Sequence, residues 1–304
     1  SVSSASAFEI GKSIQLLREN GKKVIAYGDF LTQSQYLLAS YADEIILNPF
    51  GMVFLEGFKK YQIYLKDFLD KNNIVVNTFV AGEYKSATEI FSESKMSDQD
   101  RLQSQIFLND LWKNWLKEIT NNRLSLKIDI NLFINNFNEI DPDLSAAEKA
   151  KKYGLIDKIL TRIELRNYFS ELGKVDKSSK PQEPKIVSLK SYYDRKKESN
   201  RSNDKIVVLN AYGEIVDGSF QENQISSQFF SEKINEISKD PSVKGLLLRV
   251  NSPGGSGFAS EVIRQELLNL KRNGLPIIVS ISDIAASGGY WISADADEIW
   301  ATPL

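Results

Sequence analysis

Two glycine-rich segments of the sequence contain residue types that can bind an anion and attack a carbonyl group. The first, residues 251–257, reads NSPGGSG and lies between an apolar run and a helical pattern. Consecutive glycines let backbone N–H groups point into a shared space, so this loop is a candidate anion-binding nest. A tight strand-to-helix turn that needs positive φ would require the same glycines. The loop alone therefore does not decide between binding and architecture.

The second segment, residues 285–290, reads AASGGY and follows another apolar run. Small neighbours leave Ser287 uncrowded, and the N–H group of Gly288 is free to face the same space. A nucleophilic serine needs this room for a tetrahedral intermediate, with one hydrogen-bond donor beside it and a second from another loop. Close packing of a helix start against a sheet is the alternative explanation.

A nucleophilic serine also needs a base, and the composition restricts the choice. The chain has no His and no Cys, which excludes Ser-His-Asp and Cys-His arrangements, disulfides, and metal sites built on these residues. A lysine that loses its charge on burial is the remaining candidate. Lys85, in the segment AGEYKSA, follows the apolar run 74–80, which we predict to be a strand. Sites of α/β proteins collect at the carboxyl ends of strands, but this argument favours Lys85 over the other lysines only weakly.

Length and charge bound the class of protein. The 304 residues are 42% apolar and 26% charged, which is typical of a soluble globular protein with one large domain or two ordinary ones. A net charge of −2 gives no reason to expect a nucleic-acid partner. No apolar stretch reaches about 18 residues, so we predict no transmembrane helix, and the first residues do not resemble a signal peptide.

The apolar pattern predicts an α/β fold with mostly parallel sheets. Strands are expected at 206–209, 246–250 and 277–281, and a helix between 258 and 270 separates the last two. A strand, a crossover helix and a second strand imply a parallel pair. The polar stretch 171–204, rich in Lys, Ser, Asn and Pro, is interpreted as a linker.

The sequence also contains an internal repeat. Shifting it by 254 residues aligns Asp29 with Asp283 and Tyr36 with Tyr290, and places one ADEI tetrapeptide on the other. We therefore predict two tandem α/β units joined by the linker. Their expected bounds are 1–170 for the N-terminal unit, which includes a helical insertion, 171–204 for the linker, and 205–304 for the C-terminal unit.

The two copies differ where chemistry would occur. Gln33 stands opposite Ser287, and Ser34 and Gln35 stand opposite the two glycines that follow it. This pattern suits one competent copy and one that has lost its site. Each copy also contains predicted elements that the other lacks at a chain end, so we expect the natural sequence to continue in both directions.

Three motifs, in this order along the chain, resemble those of signal peptide peptidase A, or protease IV, in its long, duplicated form. They are GEYKSA at 82–87, LRVNSPGGS at 248–256 and AASGGYWIS at 285–293. The resemblance implies two fused copies of the fold shared by the Clp protease and the crotonases. It further implies a Ser–Lys dyad, with Ser287 as nucleophile and Lys85 as general base. Gly255 and Gly288 would supply the N–H groups of the oxyanion hole.

The resemblance also carries expectations about the cellular context. It implies a serine endopeptidase without a cofactor that cleaves remnant signal peptides and other apolar peptides. It implies a bacterial inner-membrane protein whose catalytic part faces the periplasm, held by an anchor outside the present sequence. A homo-oligomer, such as a tetramer, is expected as well.

Two other functions stay open at this point. A crotonase-like acyl-CoA enzyme would also use paired backbone N–H groups, although no acidic residue is evidently placed for proton abstraction and Ser287 would have no purpose. A catalytically dead scaffold is the third interpretation, and the presence of Ser287, Gly288 and Gly255 argues against it.

Overall fold

The computed structural model describes residues 2–82, 84–173, 175–176, 183–196, 202–219 and 222–304. The chain divides into two compact units. The first is Gly11–Leu160, and the second combines Ser1–Ile10 with Thr161–Pro303. The division falls at residue 160 rather than at 170. The linker expected at 171–204 lies partly outside the described residues and stays a prediction.

The first unit is built on a parallel three-stranded sheet in the order β1-β2-β3. Its core contains Tyr36, Trp115 and the run Ile45–Leu47, all fully buried. The elements are α1 (Ser4–Glu19, of which residues 4–10 are grouped with the second unit), β1 (Ile25–Thr32), α2 (Gln33–Ser40), β2 (Glu44–Phe54), α3 (Lys66–Lys71), a 3₁₀ turn (Ser86–Thr88), α4 (Glu89–Ser92), α5 (Asp98–Asn122), α6 (Ile130–Asn135), α7 (Ala146–Lys152) and β3 (Lys158–Ile159).

The second unit contains a parallel four-stranded sheet in the order β11-β10-β9-β6 and two small two-stranded sheets, β4-β5 and β7-β8. The predicted α/β class with mostly parallel sheets is thus confirmed. The elements are α8 (Arg162–Leu172), β4 (Val175–Asp176), β5 (Glu183–Pro184), α9 (Leu189–Lys196), β6 (Lys205–Tyr212), β7 (Glu214–Val216), β8 (Gln224–Ser226), α10 (Ser227–Lys239), β9 (Val243–Ser252), α11 (Gly257–Arg272), β10 (Ile277–Ala285), α12 (Gly288–Trp291) and β11 (Glu298–Trp300).

The helix predicted between 258 and 270 is α11, and its ends follow from its sequence. The Ser256 hydroxyl caps it by accepting a hydrogen bond from the Ala259 N–H group. Ile263 and Leu267 are four residues apart and therefore lie on the same face of the helix. Both are buried in the core of the unit. The helix ends before Gly274, whose φ of +87° is the left-handed conformation that commonly follows a helix.

Both units contain the same local hydrogen bond, from a backbone N–H group to an aspartate carboxylate. In the first unit, the Asp43 carboxylate accepts a hydrogen bond from the Val24 N–H group at 2.8 Å. In the second, the Asp297 carboxylate accepts one from the Ile277 N–H group, also at 2.8 Å. Asp43 and Asp297 are 254 residues apart, whereas Val24 and Ile277 are 253 apart, so the segment from the donor to the aspartate is one residue longer in the second unit.

The strand predicted for residues 74–80 is wrong. These residues adopt no regular structure, and within the described chain no sheet includes them. Val75 and Phe79 are 83% and 93% exposed. An apolar run becomes a strand only where a neighbour pairs with its backbone, and this run has none among the described residues. Lys85 therefore lies before the 3₁₀ turn and not at the end of a strand.

Among the described residues, no helix combines the length and the apolar character needed to cross a membrane.

An ion pair between buried Arg123 and partly buried Asp157 lies at the edge of the core of the first unit. The Arg123 guanidinium, 5% exposed, donates to both carboxylate oxygens of Asp157 at 3.0 Å and to the Gly154 carbonyl at 3.1 Å. The same carboxylate accepts a hydrogen bond from the Ile45 N–H group at 2.7 Å. The pair thereby joins the end of α5 to the first residues of β2.

Replacing Asp157 by Ala would leave the buried Arg123 charge without its partner. We expect the free energy of unfolding to fall by about 3 kcal/mol, measured by urea denaturation. Lys59→Ala is the control, because it removes only an exposed ion pair with Glu56 and is expected to leave the unfolding midpoint unchanged. An Asp157→Ala midpoint equal to that of the control would contradict this role.

Candidate active site

Ser287 occupies a strained turn between β10 and α12. Its φ of 50° and ψ of −119° lie in a region that non-glycine residues rarely adopt, at a cost of about 1–3 kcal/mol. The neighbouring residues enforce it, because the Ala286 N–H group donates to the Ser252 carbonyl at 3.0 Å and the Gly289 N–H group donates to the Ala286 carbonyl at 2.9 Å. The Ser287 side chain is exposed, and its hydroxyl forms no hydrogen bond with any described residue. A strand-to-helix turn of this kind presents a serine for nucleophilic attack.

The glycine-rich loop of residues 251–257 approaches this turn closely. A Cβ on Gly254 would lie 2.7 Å from the Gly288 nitrogen and from the Ser287 Cβ. A Cβ on Gly255 would lie 2.1 Å from the Ile215 carbonyl oxygen. Both glycines also have positive φ, of 96° and 153°. The structure therefore explains these glycines by close approach as well as by turn geometry.

Pairing with β7 sets the direction of the Gly255 N–H group. The Ile215 N–H group donates to the Gly254 carbonyl, and the Ser256 N–H group donates to the Ile215 carbonyl, both at 2.8 Å. Because successive peptide groups of extended chain point to opposite sides, the intervening N–H group of Gly255 faces away from β7.

The Gly288 N–H group is unbonded for a different reason. Gly288 is the first residue of α12, where no carbonyl of the same helix is available to it. Among the described residues, neither the Gly288 nor the Gly255 N–H group donates a hydrogen bond.

The two N–H groups and the Ser287 hydroxyl border one cleft. Its volume is about 490 Å³, and it is lined by Gly255, Gly257, Ser260, Glu261, Ser287, Gly288 and Trp291. The structure thus brings together three of the four site residues predicted from the sequence. In such a cleft the serine oxygen can attack a carbonyl carbon. The two unbonded N–H groups can then bind the negatively charged oxygen that forms.

Ser252 fixes both loops from beneath. It is fully buried, and its hydroxyl donates to the Gly213 carbonyl at 2.7 Å and accepts from the Gly254 N–H group at 3.1 Å. Its own carbonyl accepts the bond from Ala286. Sequence reasoning missed this residue, although a serine at the end of an apolar strand was the available signal.

Glu261 and Trp291 line the cleft, and Arg264 forms a cluster with them. The Glu261 carboxylate accepts a hydrogen bond from the Trp291 indole N–H group at 2.7 Å and two from the Arg264 guanidinium at 2.8 Å. The hydrogen bonds from Arg264, followed by those from Gln265 and Trp291, lower the pKa of Glu261 to about 2. The i, i+3 spacing of Glu261 and Arg264 on α11 could have been found in the sequence, but their contact with Trp291 could not.

Lys85 belongs to the first unit, in a segment anchored by its neighbour. The Ser86 hydroxyl donates to the Asp100 carboxylate at 2.9 Å, and Lys60 pairs with the same buried carboxylate at 2.7 Å. Lys85 itself is exposed and forms no hydrogen bond or ion pair with the described residues through its amine. The backbone beside Lys85 is therefore held, but the burial that was expected to make its amine a base is not provided within the described structure.

The first unit has no nucleophile at the position that corresponds to Ser287. Gln33 stands there, and its side-chain carbonyl accepts hydrogen bonds from the N–H groups of Glu56 and Gly57 at 3.2 and 2.9 Å. The glutamine thus binds the backbone of its own unit.

Replacing Gly254 by Ala would push the two loops of the cleft apart, because the added Cβ meets backbone and Ser287 Cβ at 2.7 Å. We expect the free energy of unfolding to fall by about 2 kcal/mol in chemical denaturation. Gly257→Ala is the matched control in the same loop, since its Cβ would have no neighbour within 4 Å. Equal stability of the two variants would show that the approach is not close.

The Glu261 contacts predict a pH dependence of stability. Because the folded state lowers the pKa of Glu261 from 4.5 to about 2, its carboxylate stabilises the fold above pH 4.5, and this contribution is lost as the pH falls towards 2. The difference in unfolding free energy between the wild type and Glu261→Gln should therefore be constant from pH 7 to 4.5 and shrink below. Glu232→Gln on α10 serves as an exposed control. A difference that grows on acidification would contradict the assignment.

Comparison with known proteins gives the chain its family. The sequence profile of Peptidase family S49 matches residues 16–176 and 269–304, and each stretch contains one copy of the repeated strand and of the ADEI tetrapeptide. The chain is 38% identical over 301 residues to Protease 4 of Haemophilus influenzae, covering 96% of this chain and 48% of the relative. It is 36% identical over 299 residues to Protease 4 of Salmonella typhi, covering 97% of this chain and 47% of the relative.

A more distant relative is the chloroplastic serine protease SPPA of Arabidopsis thaliana, which is 28% identical over 303 residues, covering 97% of this chain and 43% of the relative. The chain thus spans about half the length of these relatives. Its parallel sheets with flanking helices agree with the Clp protease/crotonase-like fold that the resemblance implied. On both the profile match and the extent of identity, the chain belongs to Peptidase family S49.

Proposed function

We propose that this chain forms the catalytic part of a serine endopeptidase in which Ser287 is the nucleophile and Lys85 is the general base. The observation that carries the proposal is the cleft in which an unbonded serine hydroxyl meets the unbonded N–H groups of Gly255 and Gly288. Family membership supports a peptidase, and because this chain contains no histidine, lysine is the candidate base within it.

The reaction would proceed in two halves. The lone pair of the Lys85 amine nitrogen takes the Ser287 proton while the Ser287 oxygen bonds to the peptide carbonyl carbon. The N–H groups of Gly255 and Gly288 bind the resulting oxyanion, and each is worth about 10²–10³ in rate. The C–N bond then breaks, and the leaving amine takes its proton from Lys85.

Water completes the cycle. Lys85 takes a proton from a water molecule, which attacks the ester carbon, and the Ser287–carbon bond breaks as the serine regains its proton. Because Lys85 and Ser287 belong to different units, the proposal requires that Lys85 reach the serine within one chain or from a second copy in a homo-oligomer.

The proposed substrates are extended apolar peptides, among them remnant signal peptides, bound by strand addition with side chains in the cleft. The cleft volume of about 490 Å³ gives room for such side chains. We further propose that the intact protein acts at the periplasmic face of the bacterial inner membrane. These proposals concern the whole protein. The relatives are about twice as long as the present chain.

An acyl-CoA enzyme of crotonase type is less well supported. Such chemistry needs an acid–base group at the oxyanion hole. The acidic residue of the cleft lining is Glu261, and its carboxylate is occupied by Arg264 and Trp291. Tight binding of a CoA thioester without modification of Ser287 by serine reagents would favour that enzyme class.

The proposal is tested by peptide cleavage with the intact protein. Ser287→Ala should lower kcat by about 10⁴-fold or more, since it removes the nucleophile. Lys85→Ala should lower it by about 10²–10⁴-fold, because the proton then lacks its acceptor.

Lys95→Ala is the matched control, since Lys95 is also an exposed lysine of the first unit. It is expected to cleave at the wild-type rate. Near-normal turnover by a folded Ser287→Ala or Lys85→Ala variant would refute the role assigned to that residue.

A further inference from the structure

We infer that Glu261, Arg264 and Trp291 form a clamp between α11 and α12 that positions the Gly288 N–H group and the Ser287 hydroxyl for the reaction. This inference rests on the proposed function and adds three positioning residues to it. None of the three is proposed to exchange a proton or to bond covalently with the substrate.

The clamp is needed because α12 has only four residues. A helix of one turn is unstable by itself, since few hydrogen bonds offset the ordering of its backbone. The backbone bonds that define it run from the Trp291 N–H group to the Ser287 carbonyl and from the Ile292 N–H group to the Gly288 carbonyl, both at 3.0 Å. The residue that donates the oxyanion contact thus lies one turn from the clamped tryptophan.

The clamp joins α12 to a helix that is itself well anchored. Glu261 and Arg264 lie in the second turn of α11, which has 16 residues and buries Ile263 and Leu267 in the core. The cap of α11 is Ser256, the residue after Gly255. One rigid helix therefore fixes both the loop of the first donor and the turn of the second.

The contacts of the clamp are charge-assisted and directional. The indole N–H group of Trp291 donates to Glu261 at 2.7 Å, and the Arg264 guanidinium holds the same carboxylate in a two-point contact at 2.8 Å. The guanidinium also lies 5.8 Å from the centre of the Trp291 ring, within the range of a cation–π contact, and pairs with Asp295. Hydrogen bonds to an ionised group are about twice as strong as neutral ones.

A second contact makes the position of α12 critical. A Cβ on Gly288 would lie 2.3 Å from the buried Ser260 hydroxyl of α11, so α12 is seated directly against α11 at this point. Small movements of α12 would change the distance between the Gly288 N–H group and a bound oxyanion. A misplacement of about 1 Å can cost about 10²-fold in rate.

The test measures peptide cleavage and, in parallel, the modification of Ser287 by phenylmethylsulfonyl fluoride in the intact protein. Trp291→Phe removes the indole donor and keeps the ring, while Glu261→Ala removes the acceptor. Each should lower kcat about tenfold and leave KM within about twofold, because the lost interaction orients the transition state rather than the substrate.

The double variant should be no slower than the slower single variant, since both single variants already remove the bond between the indole and the carboxylate. Glu261→Gln keeps an acceptor for the indole and should recover part of the rate, so the test does not depend on a single variant. Trp300→Phe is the matched control, because Trp300 is an exposed tryptophan of the same unit that donates to Glu298 at 2.8 Å outside the cleft lining. It should react at the wild-type rate.

Three results would overturn the clamp while the proposed function stands. They are wild-type kcat in Trp291→Phe, a raised KM with unchanged kcat, which would indicate a direct substrate contact, and rate losses that add in the double variant. A wild-type protein that neither cleaves peptides nor reacts at Ser287 would instead overturn the proposed function, and the clamp with it.

Discussion

The close approach of two loops at the ends of β9 and β10 is the constraint on which the candidate site depends. A Cβ on Gly254 would meet the Gly288 nitrogen at 2.7 Å, so side chains are excluded where the loops meet. Buried Ser252 holds both loops through hydrogen bonds to Gly254 and Ala286. The strained φ of Ser287 is maintained by this framework, since no local preference of serine would select it.

The two copies of the repeat share a structural framework and differ at the residues that could react with a substrate. Both copies contain a parallel strand pair closed by an aspartate that accepts a backbone hydrogen bond, Asp43 in one and Asp297 in the other. The copies differ where a substrate would react. The second offers the Ser287 hydroxyl, while the first places Gln33 against its own backbone. The first copy thus retains the framework without a serine at this position.

The sequence predicted what depends on local pattern. The α/β class, the helix α11 and the grouping of Ser287 with Gly255 and Gly288 at one cleft followed from periodicity, from turn-forming glycines and from the family resemblance. The strand expected at 74–80 was wrong because hydrophobicity and β-propensity do not supply a pairing partner. That error also removed the structural reason first given for Lys85, whose role stays a prediction.

Other features depend on contacts between distant residues, and the sequence does not show which residues make those contacts. Ser252 fixes the loops through partners 2, 34 and 39 residues away. The bond between Glu261 and Trp291 spans 30 residues and joins two helices. The predicted boundary at 170 and the linker rest on composition, which responds to polarity rather than to which segments pack together.

The most direct test of this account is an experimental structure of the intact protein with a peptide aldehyde bound. The account predicts a hemiacetal in which the Ser287 oxygen is bonded to the aldehyde carbon. Its hydroxyl or oxyanion oxygen should lie about 2.7–3.1 Å from the nitrogens of both Gly255 and Gly288. An adduct on another residue, or a hemiacetal oxygen that points away from both N–H groups, would contradict it.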